Sequence, residues 1–183
     1  MNPLIITATP NHCWLHPEVE YPVTVEGIAE EGAKCREAGA SILHTHCLAD
    51  IGDECGTKGV GKWADIINET HKHSDILVQC GMSTLTLAQR IEAFEAKADM
   101  VSIMLSHHDE DFAEFNNDVL HPMEELVEYA KACRKYRVKP EFEVWAREAE
   151  RMRDEALTED EMAKDKAAHE QIVRRLTEEL NRA

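Results

Sequence analysis

Residues 38–47 read AGASILHTHC, and the fold is decided by how this stretch is read. A helical pattern leads into it. Thr24 suits a helix N-cap, and Ile28, Ala33 and Cys35 fall at helical spacing before Ala38-Gly39 ends the segment. SILHTHC (Ser41–Cys47) then reads as a strand. The same alternation continues on both sides. LIITATP (Leu4–Pro10) reads as a buried strand ahead of the helix, and Trp63 to Thr70 as a short helix after a Gly- and Asp-rich loop from Leu48 to Gly61. DILVQCG (Asp75–Gly81) gives a third strand, and Leu85 to Lys97 a helix with Leu87, Ile91 and Phe94 on one stripe. DMVSIMLS (Asp99–Ser106) gives a fourth strand, Pro122 opens a helix over Met123–Tyr136, and PEFEVW (Pro140–Trp145) gives a fifth strand.

Continuous apolar strands separated by helices predict parallel pairing through right-handed crossovers. Five strands and four helices fit an open doubly wound sheet or the first part of a β/α barrel. A complete barrel takes about 250 residues, and this chain has 183. From Ala146 to Ala183 the rhythm changes: there is no strand pattern, no Gly and no Pro. Ala149, Met152, Ala156, Ile172, Leu176 and Leu180 keep helical spacing among charged residues, and Thr158–Glu161 reads as a capping box. The expected organisation is a partial β/α barrel over residues 1–145 and a charged amphipathic helical tail over 146–183. The tail either packs on the sheet or forms an oligomerisation arm.

Composition excludes several roles. With 20 Lys+Arg against 36 Asp+Glu the net charge is −16, unsuited to a nucleic-acid backbone or an anionic membrane surface. No apolar run approaches the ~20 residues of a membrane span, and MNPLIITATP lacks the pattern of a signal peptide. The six cysteines, Cys13, Cys35, Cys47, Cys55, Cys80 and Cys133, contain no CxxC pair. The expectation is reduced thiols in a cytoplasmic protein.

His44 and His46 carry the strongest chemical signal. Alternate residues of a strand share a face, so two imidazoles leave one side near the strand's C-terminal end, where α/β folds place their sites. Two nitrogen donors so placed suit Zn²⁺ or a similar ion, or are two polar histidines at a strand end. Glu141 and Glu143 repeat the spacing in the fifth strand, as a substrate or metal contact or as a salt bridge. His107-His108-Asp109, His12-Cys13 and Gly81-Met82-Ser83-Thr84 also follow strands. The last is small and polar, suited to a carboxylate or phosphate meeting backbone N–H groups, but is not a GxGxxG or Walker loop. Parallel folds gather such strand ends into one cleft.

The pieces PLIITA, EAGASILHTH, ILVQCG, ADMVSIML and KPEFEVW, in this order, resemble the β-keto acid cleavage enzymes, from Met1 to about Trp145. The resemblance implies an incomplete TIM-type barrel and a divalent metal, usually zinc, held by His44 and His46. It implies substrate contacts at Gly81, Ser102 (a threonine in the family) and Glu143. The implied reaction takes a β-keto acid and acetyl-CoA to acetoacetate and a new acyl-CoA. The family's acidic residue after the first strand is not matched; Trp14 stands near that place, which implies a different β-keto acid. The third protein metal ligand, an Asp base and its Arg partner would follow Trp145, where nothing matches and Glu148 and Glu150 sit in a helical pattern. Catalytic residues therefore stay unassigned. The expectation is a truncated, homo-oligomeric member of doubtful activity alone. The alternatives are a non-catalytic remnant or oligomerising module, or a metal-dependent hydrolase or lyase on an open sheet, with His107, His108 or Glu143 as third ligand.

Overall fold

The computed structural model describes residues 4–12, 15–48, 62–82, 87–104 and 123–143, together with 171, 173–175, 177–178 and 180–181. In chain order the elements are β1 (Thr7–Ala8), α1 (Val25–Glu37), β2 (Ile42–Thr45), α2 (Trp63–His73), β3 (Leu77–Cys80), α3 (Leu87–Glu95), β4 (Met100–Met104), α4 (Met123–Tyr136) and β5 (Lys139–Glu143). The strands form one sheet in the order β1-β2-β3-β4-β5, every pair parallel. Sequential order with right-handed crossovers puts all the connecting helices on one side, as in a β/α barrel; a doubly wound sheet reverses its order partway. The chain is thus an incomplete TIM-type α/β sheet.

Local chemistry explains the helix ends. Thr24 caps α1, its Oγ1 accepting from the Gly27 N–H at 3.0 Å, a contact worth about 1 kcal/mol. Gly39, at φ 106°, turns the chain out of α1, as expected of a glycine there. Lys97 (φ 59°) and Arg137 (φ 60°) do the same after α3 and α4. These two left-handed stops were not legible in the sequence, because neither residue is one that favours positive φ.

Register divides the strand residues between two faces. Leu43 pairs with Val78, Thr45 with Cys80, and Cys80 with Val101. Leu43, Val78, Cys80, Val101 and Ile103 are buried and join Ile28, Ile66, Phe94, Leu126 and Tyr129 of the helices in one hydrophobic core. α1 comes so close to β2 that a Cβ on Gly32 would stand 2.8 Å from Leu43 Cδ2. The opposite face carries His44, Gln79, Met100, Ser102, Lys139 and Glu141 at the alternate positions.

The first strand departs from expectation. The sequence predicts a buried strand over Leu4–Pro10, yet only Thr7–Ala8 is strand, and Leu4 and Ile5 are 83% and 69% exposed. Among the described residues β1 has a sheet neighbour on one side only, which leaves the apolar residues leading into it uncovered. Elsewhere the predicted elements shift by a few residues; α2, for example, runs on to His73 rather than stopping at Thr70.

Among the described residues Cys35, Cys80 and Cys133 are free thiols, Cys47 is buried, and burial pushes the Cys133 thiol up to about 12. Among the described residues no helix is long and apolar enough to cross a membrane. The described residues near the C-terminus are helical, and Leu180 packs against the core. Residues 49–61, where the sequence predicts a loop, and residues 144–170 lie outside the described residues.

Candidate functional site

The site is built on the C-terminal ends of β2 and β3, on the face away from the helices. His44 lies level with Gln79 in the ladder, and Thr45 with Cys80. The Gly81 N–H donates to the Thr45 carbonyl at 3.0 Å, which carries the pairing one step past β3 and brings Gly81 beside His46. A Cβ built on Gly81 would stand 2.8 Å from His44 Nε2 and 2.9 Å from His46 Nε2. Both imidazole nitrogens therefore converge on the space that glycine leaves open. Gly81 has no positive φ, so what its missing Cβ provides is room.

The His46 side of this cradle is pinned by Asn11. His46 is 1% exposed. Its backbone N–H donates to Asn11 Oδ1 at 2.8 Å, and the Thr45 hydroxyl donates to the same oxygen at 3.1 Å. Asn11 Nδ2 in turn reaches the Pro22 carbonyl at 3.5 Å. One buried amide thus ties the segment after β1 to the end of β2. The His12 ring follows into the site, its centroid 4.5 Å from that of His46, while the His44 and His46 centroids lie 5.4 Å apart.

His44 is held from the other direction. Its Nδ1 lies 2.7 Å from Gln79 Oε1, and Gln79 Nε2 donates to the Glu141 carboxylate on β5. Glu141 pairs in register with Ser102 of β4, which is buried, and Glu143 with Met104.

Behind Gly81, the segment leaving β3 is fixed by Arg90 of α3. Arg90 is 3% exposed. Its Nε donates to the Met82 carbonyl at 2.9 Å, and its Nη1 reaches Glu125 Oε1 at 3.1 Å and the Tyr129 hydroxyl at 2.9 Å. The Tyr129 hydroxyl donates to the same Glu125 oxygen. Burial drives the Tyr129 phenol above its ordinary range, so it stays protonated and able to donate. Arg90, Glu125 and Tyr129 bind α3, α4 and the Gly81-Met82 backbone into one unit.

The donor set fits a divalent transition metal in two respects. Both nitrogens point into a space a side chain would fill, and imidazole is a normal ligand for such ions. Among the described residues, no group of three or more His, Cys, Asp or Glu side chains is close enough to complete a metal centre.

Of the residues expected from sequence, His44, His46 and Gly81 come together, and Ser102 lies on the same face of the sheet. The Glu143 side chain lies outside what is described, as do Cys13, Trp14, Ser83, Thr84, His107, His108, Asp109, Glu148 and Glu150. Asn11, Gln79 and Arg90 were not singled out in the sequence. Gln79 did carry a signal: it is a lone amide inside the apolar run ILVQC. Asn11 and Arg90 carried none, since their partners are distant in sequence.

Comparison with known proteins bears on what this arrangement is for. The family model described as beta-keto acid cleavage enzyme matches residues 3–174. The match runs past Trp145, where the motifs quoted above end. Among curated proteins, none matches the chain.

Proposed function

Because the chain belongs to the beta-keto acid cleavage enzyme family, we propose that it binds a divalent metal, zinc in the first instance, and takes a β-keto acid and acetyl-CoA to acetoacetate and a new acyl-CoA. The observation that carries this reading is the convergence of His44 Nε2 and His46 Nε2 on the space above Gly81. His44 and His46 would hold the metal. When bound, it supplies Lewis-acid stabilisation of negative charge on the keto and carboxylate oxygens of the substrate.

The chain's own residues do the rest of the binding. Gly81 lets a small ligand approach the two imidazoles where any side chain would block it. Ser102 offers a hydroxyl on the same face of the sheet. Glu143 is assigned a polar group of the β-keto acid, two residues along β5 from Glu141. With no acidic residue matched after β1 and Trp14 near its place, the reading favours a β-keto acid without a substrate amino group. A cytoplasmic setting and a homo-oligomeric state belong to the same reading.

The test is acetoacetate production by the zinc-loaded chain, from acetyl-CoA and a panel of β-keto acids. The expected result is turnover that is lost on chelation and in a His44→Ala/His46→Ala variant. Metal retention without acetoacetate from any member of the panel would contradict the reaction and point to a metal-dependent hydrolase or lyase. Neither metal nor turnover would point to a non-catalytic remnant.

A further inference from the structure

We propose that Gln79 and Glu141 form a relay that fixes His44 as the Nδ1–H tautomer and strengthens its Nε2 as a metal donor, which makes Gln79 a positioning residue. The proposal rests on the reading of His44 as a ligand. It adds how the ligand is prepared.

The direction of the relay follows from chemistry. An ionised carboxylate can only accept hydrogen bonds, so the Gln79 group facing Glu141 is its NH₂. The other end of the same amide, the carbonyl Oε1, must then face His44. A carbonyl also only accepts, so at 2.7 Å the proton between them belongs to His44 Nδ1. The lone pair of the neutral ring is thereby assigned to Nε2, the atom that points over Gly81. A ligand imidazole whose other nitrogen donates to an acceptor is more basic and better oriented. Here a charged carboxylate polarises that acceptor from behind.

The placement of Gln79 argues against a casual contact. It is 2% exposed, in the third strand of five, level with His44 on one side and with Met100 on the other. A buried amide there is costly unless both its ends are bonded, and the two bonds it makes lead to an imidazole and to an exposed carboxylate. The relay crosses from β2 to β5 over β4, so it also ties the site to the far side of the sheet.

The test compares wild type with Gln79→Leu and Glu141→Gln. Two-bond ¹H–¹⁵N correlation on the metal-free chain, at a pH where imidazoles are neutral, reads the tautomer of His44. Competition with a chromophoric chelator reads zinc affinity. Wild type is expected as Nδ1–H. Gln79→Leu should move the proton towards Nε2 and weaken zinc by roughly 10–100-fold. Glu141→Gln alters only an exposed side chain, so it should fold even if Gln79→Leu does not. Without the carboxylate the Gln79 amide can turn over, and a second His44 tautomer should appear. A wild-type His44 protonated on Nε2, or an unchanged tautomer and zinc affinity in the variants, would overturn the relay. Absence of zinc from wild type with the tautomer shift intact would overturn the metal reading and leave the orientation of His44 standing.

Discussion

Gly81→Ala is expected to cost the chain roughly 10–100-fold in zinc affinity, as disrupting a ligand's support does, while the displaced rings cost the fold only about 1–3 kcal/mol. Two opposed effects give this prediction. Gly81 has no positive φ, so alanine is tolerated by the backbone and lowers the entropy of the unfolded chain. Its new methyl carbon, however, would stand at 2.8 and 2.9 Å from the two imidazole nitrogens, inside van der Waals contact and in the space the metal needs. The rings must swing aside, and neither can then present Nε2 to a shared ion. Isothermal titration with zinc and urea unfolding of the same preparation separate the two effects. Unchanged affinity would mean that the metal, if bound, sits away from Gly81.

The largest effect on stability is expected from Arg90→Met, about 3–5 kcal/mol, because it strands a charge already removed from water. Among the described residues Arg90 bonds to the Met82 carbonyl, the Glu125 carboxylate and the Tyr129 hydroxyl. Glu125 has a side-chain exposure of only 14%. Without the guanidinium its carboxylate keeps only the Tyr129 hydroxyl among the contacts described above. The melting temperature should fall by roughly 10 °C. Replacing both partners, Arg90→Met with Glu125→Leu, should recover much of the loss, since removing a buried pair together is far cheaper than breaking it. The double variant would still lack the bond to the Met82 carbonyl. Its zinc affinity should therefore lie below that of wild type even where stability returns. Thermal unfolding of the two single variants and the double variant, read as a cycle, checks the prediction. A single-variant loss below about 1 kcal/mol, the range of a surface ion pair, would contradict it.

How much of this was legible in the sequence differs by residue. The alternation of apolar runs with helical stripes gave the five parallel strands, because buried parallel strands must be apolar on both faces. HxH placed two imidazoles on one side of β2, because alternate positions of a strand share a side by geometry alone. Gly81 was visible as a small residue after a strand. Its reason was not, since the clash that explains it involves side chains from the neighbouring strand. Glu141 and Glu143 read as one repeated unit. In the structure Glu141 belongs to Gln79, a partnership that depends on strand order and not on spacing. Arg90 and Asn11 act through carbonyls and amides of distant segments, and no local pattern announces such bonds. The buried reading of Leu4–Pro10 failed for a related reason: an apolar run states what a strand could cover, whereas its neighbours decide whether it is covered.

The most direct measurement is metal content per chain after zinc loading and removal of excess, wild type beside His44→Ala/His46→Ala. Near-stoichiometric zinc in wild type, absent from the variant, is the predicted result. Equal zinc in both, or none in either, would contradict the assignment of His44 and His46 as the metal-holding pair.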